Sequence, residues 1–178
     1  MPGVKSLFVP GPTNVPESVR RAMDVPMEDH RAPDLPNFTL PLFSDLKKVF
    51  KTETGKVFLF PASGTGGWEA ALTNTLNVGD KVLASRFGQF SHLWIDMCTR
   101  LGLEVGHVES EWGTALDPEE FKKVLEEDNQ KEIKAVIVTH SETSTGVIND
   151  LETISAYIRE HNIALSIVDC VTSLGACN

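Results

Sequence analysis

Three features of the sequence predict an α/β fold, with a three-layer, mostly parallel sheet covered by helices on both faces. Short apolar runs alternate with helical patterns over the last two thirds of the chain. The runs are rich in Val, Ile, Leu and Phe and lack a strict polar alternation, as strands buried on both sides do. Glycines or acid–proline pairs mark the joins between them.

The elements follow in order. Residues 1–41 carry Pro10, Pro12, Pro16, Pro26, Pro33, Pro36 and Pro41. Each proline removes a backbone donor and fixes φ, so an irregular arm is expected there. Residues 42–178 then form one incomplete large domain, opening with a helix around Leu42–Phe50. Val57–Phe60, between Gly55 and Pro61, is the first predicted strand. A helix at Trp68–Leu76 closes at Asn77 and Gly79. The second strand is Lys81–Ala84. A helix at Ser91–Leu101 ends before Gly102, a residue suited to a left-handed cap. Glu104–Val108 is the third strand. Asp117-Pro118-Glu119-Glu120 is a helix start: a capping acid, proline at the first helical position, then acids favoured by the helix dipole. That helix runs to about Glu127. Ala135–Thr139 is the fourth strand, Asp150–His161 a helix, and Ala164–Val168 a fifth, buried strand.

Composition narrows the function. The chain has 178 residues, 41% of them hydrophobic and 23% charged, enough for one domain with a real core. Its formal net charge of -9 argues against a nucleic-acid partner, which needs a basic face. The lysine groups Lys47, Lys48, Lys51 and Lys122, Lys123 stand among acids in helical patterns and read as solvated faces. Cys98, Cys170 and Cys177 form no CxxC pair, so a reducing compartment is the simpler expectation. The five histidines show no ligand spacing, and no metal is expected. The N-terminal residues MPGVKSLFVPGPT have no long apolar core, so neither a signal peptide nor a membrane span is expected. The last residues, SLGACN, follow a strand without a closing helix, which reads as truncation.

In open α/β sheets ligands sit beyond the carboxyl ends of strands. Four such places carry unusual residues. Ala62-Ser63-Gly64-Thr65-Gly66-Gly67 follows a strand and opens a helix. Its glycines, hydroxyls and free N–H groups suit an anion, above all phosphate; a tight turn without a ligand is the plain alternative. Phe90, after the second strand, can stack on a flat ring or serve as core. His140-Ser141-Glu142-Thr143-Ser144-Thr145-Gly146, after the fourth strand, concentrates hydrogen-bonding side chains, as an ordinary turn also would. Asp169 places a carboxylate at the mouth of an apolar strand, which costs free energy unless something pairs with it. A protonated pyridine nitrogen would do so; a Mg²⁺ ion or a helix N-cap are the alternatives. A single phosphorylated heteroaromatic ligand would use all four places.

These segments match a known family. LFVPGPT at Leu7–Thr13, FLFPASGTGGWEAALTNTLNVGDKV, GQFSHLW, HSETSTGV and VDCVTSLGA resemble the class V, fold-type I pyridoxal-phosphate aminotransferases. The likeness is greatest to the serine–glyoxylate and alanine–glyoxylate types. GQF and VESEWG (Val108–Gly113) lean toward the serine–glyoxylate type of plant peroxisomes and some bacteria. The resemblance implies pyridoxal 5'-phosphate as cofactor. Ser63, Gly64 and Thr65 would hold its phosphate and Phe90 would stack on its ring. Val171 would lie on the opposite ring face, and Thr143 beside the phenolic oxygen. Asp169 would pair with the pyridine nitrogen, and Gly11 would border the substrate. It also implies small amino acids and glyoxylate as substrates, a homodimer, and a peroxisomal or cytoplasmic location. The family's Schiff-base lysine follows this aspartate, and no lysine follows Asp169 here. The C-terminal small domain is likewise absent, so the chain alone is expected to be inactive. A non-catalytic fragment binding a partner subunit is one alternative. A cysteine desulfurase-like lyase is another, disfavoured because its loop usually has asparagine where Thr143 stands and histidine where Phe90 stands.

Overall fold

A parallel strand pair needs a crossover between its members, and the crossovers here decide where the crevice lies. The computed structural model describes residues 6–177. It falls into two units, divided between Phe58 and Leu59.

The first unit holds two helices, α1 (Glu17–Met23) and α2 (Leu35–Val49). In α1, which the sequence reading leaves irregular, Glu17 accepts from both Arg20 and Arg21, pairs that sit on one helix face. Helix α2 begins seven residues before the predicted Leu42. Pro36 occupies its first turn, where no N–H is needed, and Pro41 is carried inside the helix. The proline-rich arm is therefore partly helical. Neither helix contains a buried residue.

The predicted strand Val57–Phe60 does not form. Among the described residues no strand lies beside it, and Phe58, Leu59 and Phe60 are 73%, 71% and 55% exposed. An apolar run specifies hydrophobicity, but a strand also needs a ladder partner.

The second unit contains the sheet. Its elements are α3 (Gly64–Thr75), β1 (Lys81–Arg86), α4 (Gln89–Arg100), β2 (Glu104–Glu109), α5 (Pro118–Glu127) and β3 (Ile133–Thr139). They continue with β4 (Ser141–Glu142), β5 (Val147–Ile148), α6 (Leu151–His161) and β6 (Leu165–Asp169). Four strands pair in the order β2-β1-β3-β6, all parallel. The short β4 and β5 pair antiparallel as a separate ribbon, where the sequence suggests only a polar loop. Strand β6 is less buried than expected, with Leu165 47% exposed, because β3 is its only neighbour among the described strands.

Alternate side chains divide the core into two layers. Leu83, Val136 and Val138 join Phe121 and Leu125 of α5 and Ile154 and Ile158 of α6. Val82, Ala84, Ala135 and Ile137 join Trp68 and Leu72 of α3 and Trp94 and Cys98 of α4. Helices thus cover both faces, as the sequence predicts. Burial raises the Cys98 thiol to about 11, so it packs as an inert apolar group.

The predicted Asp117 cap and the glycine stop after α4 form, and Asp150, which the sequence places as the first residue of its helix, caps α6. Asp117 accepts from the Glu119 amide at 3.0 Å, and Asp150 from the Thr153 amide at 3.0 Å. Gly102 sits at φ 79° after α4, in the left-handed region that favours glycine.

Asp128, at the end of α5, ties three elements together. It accepts from the Glu132 and Ile133 amides at 3.0 and 2.9 Å and faces His161 Nε2 at 3.0 Å. Burial pushes its carboxyl up, but these partners outweigh burial and hold it below its ordinary value of 3.8. Its contribution to stability is therefore complete above 3.8 and is lost as pH falls through the lower folded value. The stability gap between wild type and Asp128→Asn, measured by urea unfolding, is expected to hold near neutrality and narrow under strong acid. Phe121, wholly buried, anchors the same helix to the sheet. Phe121→Ala is expected to cost about 3–5 kcal/mol, read as a lower denaturant midpoint at unchanged slope.

Candidate cofactor site

Winding reverses between β1 and β3: the chain leaves β1 for β2 on one side and passes from β3 to β6 on the other. Strand ends diverge at such a reversal and open a crevice beyond their carboxyl ends. The segments that follow β1, β3 and β6, together with the turn into α3, meet there through specific contacts.

Asp169 ends β6, paired in register with Thr139 of β3. It is half-buried. One carboxylate oxygen accepts from the indole N–H of Trp68 at 3.1 Å, and the other from the Val171 amide at 2.9 Å. A carboxylate offers about four acceptor positions. Two are used among the described residues, so Asp169 is oriented by the protein yet retains capacity for an external donor. The Trp68 ring is itself fixed by stacking on Trp94, with centroids 5.2 Å apart and planes 12° from parallel.

Ser63, Gly64 and Thr65 form the turn into α3 and are exposed. Ser63 is the N-cap residue and makes no side-chain capping bond. The amides of Gly64 and Thr65 fall in the first turn, where a helix has no internal acceptors for them. A Cβ at Gly66 would lie 2.6 Å from the Ala62 Cβ, so the turn closes this tightly only with glycine there. A Cβ at Gly64 would lie 3.5 Å from Val171 Cγ2. The glycine turn and the segment after β6 are thus neighbours. Trp68, which grips Asp169, stands four residues after Gly64, about 6 Å along the helix axis at 1.5 Å per residue. The turn and the carboxylate are thus linked twice, through Trp68 of the same helix and through Val171, whose amide donates to Asp169 and whose Cγ2 faces the Gly64 position.

The remaining residues enter from the other two strands. Phe90, 37% exposed, lies in the first turn of α4. Its amide donates to Glu142 at 3.2 Å. Thr143 Oγ1 lies 3.3 Å from Thr172 Oγ1, which donates to the Ser141 carbonyl at 3.0 Å. Val171 is 74% exposed and free for contact. Gly11 belongs to the first unit.

Several residues in this web carry no distinguishing mark in the sequence. Trp68 reads as helix core, which it also is; only its indole N–H reveals the second role. His140 Nδ1 lies 2.8 Å from the hydroxyl of buried Ser173, which anchors the segment after Asp169. Buried Asn149 donates to the Thr139 carbonyl at 2.9 Å and accepts from the Leu116 amide at 2.9 Å. The density of polar residues in 140–149 is the available signal, without any indication of which ones are buried.

Pyridoxal phosphate fits this donor and acceptor set. The uncapped helix start suits its phosphate, and the half-used carboxylate suits a protonated ring nitrogen.

Comparison with known proteins identifies the family. The profile of the aminotransferase class-V family matches residues 44–177. Serine–glyoxylate aminotransferase of Hyphomicrobium methylovorum is 57% identical over 96% of this chain and 42% of that protein. L-aspartate–glyoxylate aminotransferase of Paracoccus denitrificans is 49% identical over 96% of this chain and 43% of its own length. The crystal structure of ureidoglycine–glyoxylate aminotransferase from Bacillus subtilis superposes with a TM-score of 0.88 at 32% identity, covering 96% of this chain and 43% of that one. The chain thus spans less than half the length of these relatives. With this match running from α2 through the residues after β6, the chain belongs to the class-V aminotransferase family.

Proposed function

We propose that this chain provides the non-covalent cradle for pyridoxal 5'-phosphate in a transaminase that moves an amino group from serine or another small amino acid to glyoxylate. The donor becomes its keto acid and glyoxylate becomes glycine, so amino group and electrons balance between the two substrates. One observation carries the reading. Asp169 is held from two sides, by Trp68, which stands in the helix that the glycine turn opens, and by Val171, which also faces the Gly64 position.

Each residue has a distinct task. The Gly64 and Thr65 amides, with the hydroxyls of Ser63 and Thr65, hold the phosphate. Phe90 and Val171 confine the ring between them, and Thr143 lies toward its phenolic oxygen. Asp169 accepts from the ring nitrogen and keeps the proton on it. Bound in this way, the cofactor supplies an electron sink for chemistry at an amino acid's α-carbon. These contacts are all non-covalent, and each is made by a residue of this chain. Glyoxylate as acceptor is supported by the relatives, whose names share it while their donors differ.

Pyridoxamine 5'-phosphate tests the reading because it binds without a lysine. Titration of the full chain is expected to quench tryptophan fluorescence saturably, since the ring would lie beside Trp68. Asp169→Ala removes a charged hydrogen bond worth about 1.5–3 kcal/mol and is expected to weaken binding roughly ten- to hundredfold. Wild-type binding no tighter than that of inorganic phosphate would refute the ring assignment.

A further inference from the structure

We infer that Glu142 is a positioning residue for the cofactor ring, joining Phe90 to Thr143 by clamping the start of α4 onto the loop after β3. The inference rests on the reading that Phe90 and Thr143 flank the ring.

Glu142 is completely buried, yet its carboxylate receives four hydrogen bonds. Oε1 accepts from the Phe90 amide at 3.2 Å, the Ser144 amide at 3.1 Å and the Ser144 hydroxyl at 2.7 Å. Oε2 accepts from the Ser91 amide at 3.0 Å. The Gln89 amide donates to the Ser144 hydroxyl at 3.1 Å. Successive amides at the start of α4, those of Gln89, Phe90 and Ser91, are thus satisfied from a loop distant in sequence. These are the groups that a local capping side chain ordinarily satisfies. The residue at the N-cap position is Gly88, which has no side chain to do so.

The clamp is sterically closed as well. A Cβ at Gly88 would lie 2.3 Å from Glu142 Cγ and 2.5 Å from Cδ. The Gly88 φ of -179° is ordinary extended backbone, so the glycine is required here by the approach of Glu142 and not by its own conformation. Burial raises the Glu142 carboxyl. The bonds from Ser144, Ser91 and Phe90 outweigh burial and hold it below its ordinary value, so the group at the clamp is an anion. That charge also complements the positive end of the α4 dipole.

The consequence is geometric. Phe90 follows β1 and Thr143 follows β3, on opposite sides of the winding reversal. Glu142 immediately precedes Thr143 and bonds directly to the Phe90 amide. It therefore sets the width of the crevice at the ring, while the phosphate turn at Gly64–Thr65 is built by other residues.

This separation supplies the test. In the full chain, pyridoxamine 5'-phosphate and inorganic phosphate are titrated against wild type and Glu142→Gln. The carboxamide introduced by this substitution would turn an N–H toward backbone donors, opposing at least one existing bond. Ring-ligand affinity is expected to fall about tenfold, with phosphate affinity unchanged within about twofold. Amide exchange at Phe90 and Ser91 is expected to accelerate. Gly88→Ala, which displaces the carboxylate without removing it, should give the same split and serves if Glu142→Gln does not fold. Unchanged ring-ligand affinity in a folded variant overturns the inference, as does a parallel loss of both ligands. Failure of wild type to bind the ring ligand overturns the cofactor reading itself and this inference with it.

Discussion

A parallel sheet that reverses its winding must leave a gap where the crossovers part, and this constraint organises the second unit. The β2-β1-β3-β6 order places the reversal between β1 and β3. Helices α3 and α4 cover one face and α5 and α6 the other, and the central strands β1 and β3 are buried between them. The carboxyl-terminal edge is left, and the loops there carry the unusual chemistry. Burying alternate side chains on two faces stabilises the sheet, and the same geometry delivers Phe90, Thr143 and Asp169 to one rim.

Two carboxylates at this rim are treated in opposite ways. Glu142 is fully buried and accepts four hydrogen bonds, three on Oε1 and one on Oε2. Asp169 is half-buried and has two donors among the described residues. A buried anion held by four donors serves as a structural pin, closed to a further ligand by its burial. A half-satisfied anion is oriented and still available. Burial and hydrogen-bond count, taken together, separate the two roles where residue type cannot.

Much of the fold is legible in the sequence because local rules agree with each other. The Asp117-Pro118 start and Gly102 after α4 stand where expected, since capping depends on neighbours a few residues away. The strands from Lys81 onward form within a few residues of their expected limits. Val57–Phe60 does not, because strand formation depends on a partner that hydrophobicity alone does not reveal. Helix α2 begins earlier than expected because a proline in a helix's first turn costs little. The β4–β5 ribbon is too short to show a period.

At the site, residue types and their placement after strands are readable: glycines before α3, Phe90 after β1, a polar loop after β3, an acid at the end of β6. These follow from the α/β alternation, a property of short segments. The contacts that give them meaning are not readable. Trp68 reaches Asp169 across 101 residues and Glu142 reaches Phe90 across 52. Such pairs depend on which strands become neighbours, and a linear chain carries no local record of that. Composition and periodicity determined the layers and the rim; only tertiary structure decided which carboxylate is spent on holding the rim together and which remains free to meet a ligand.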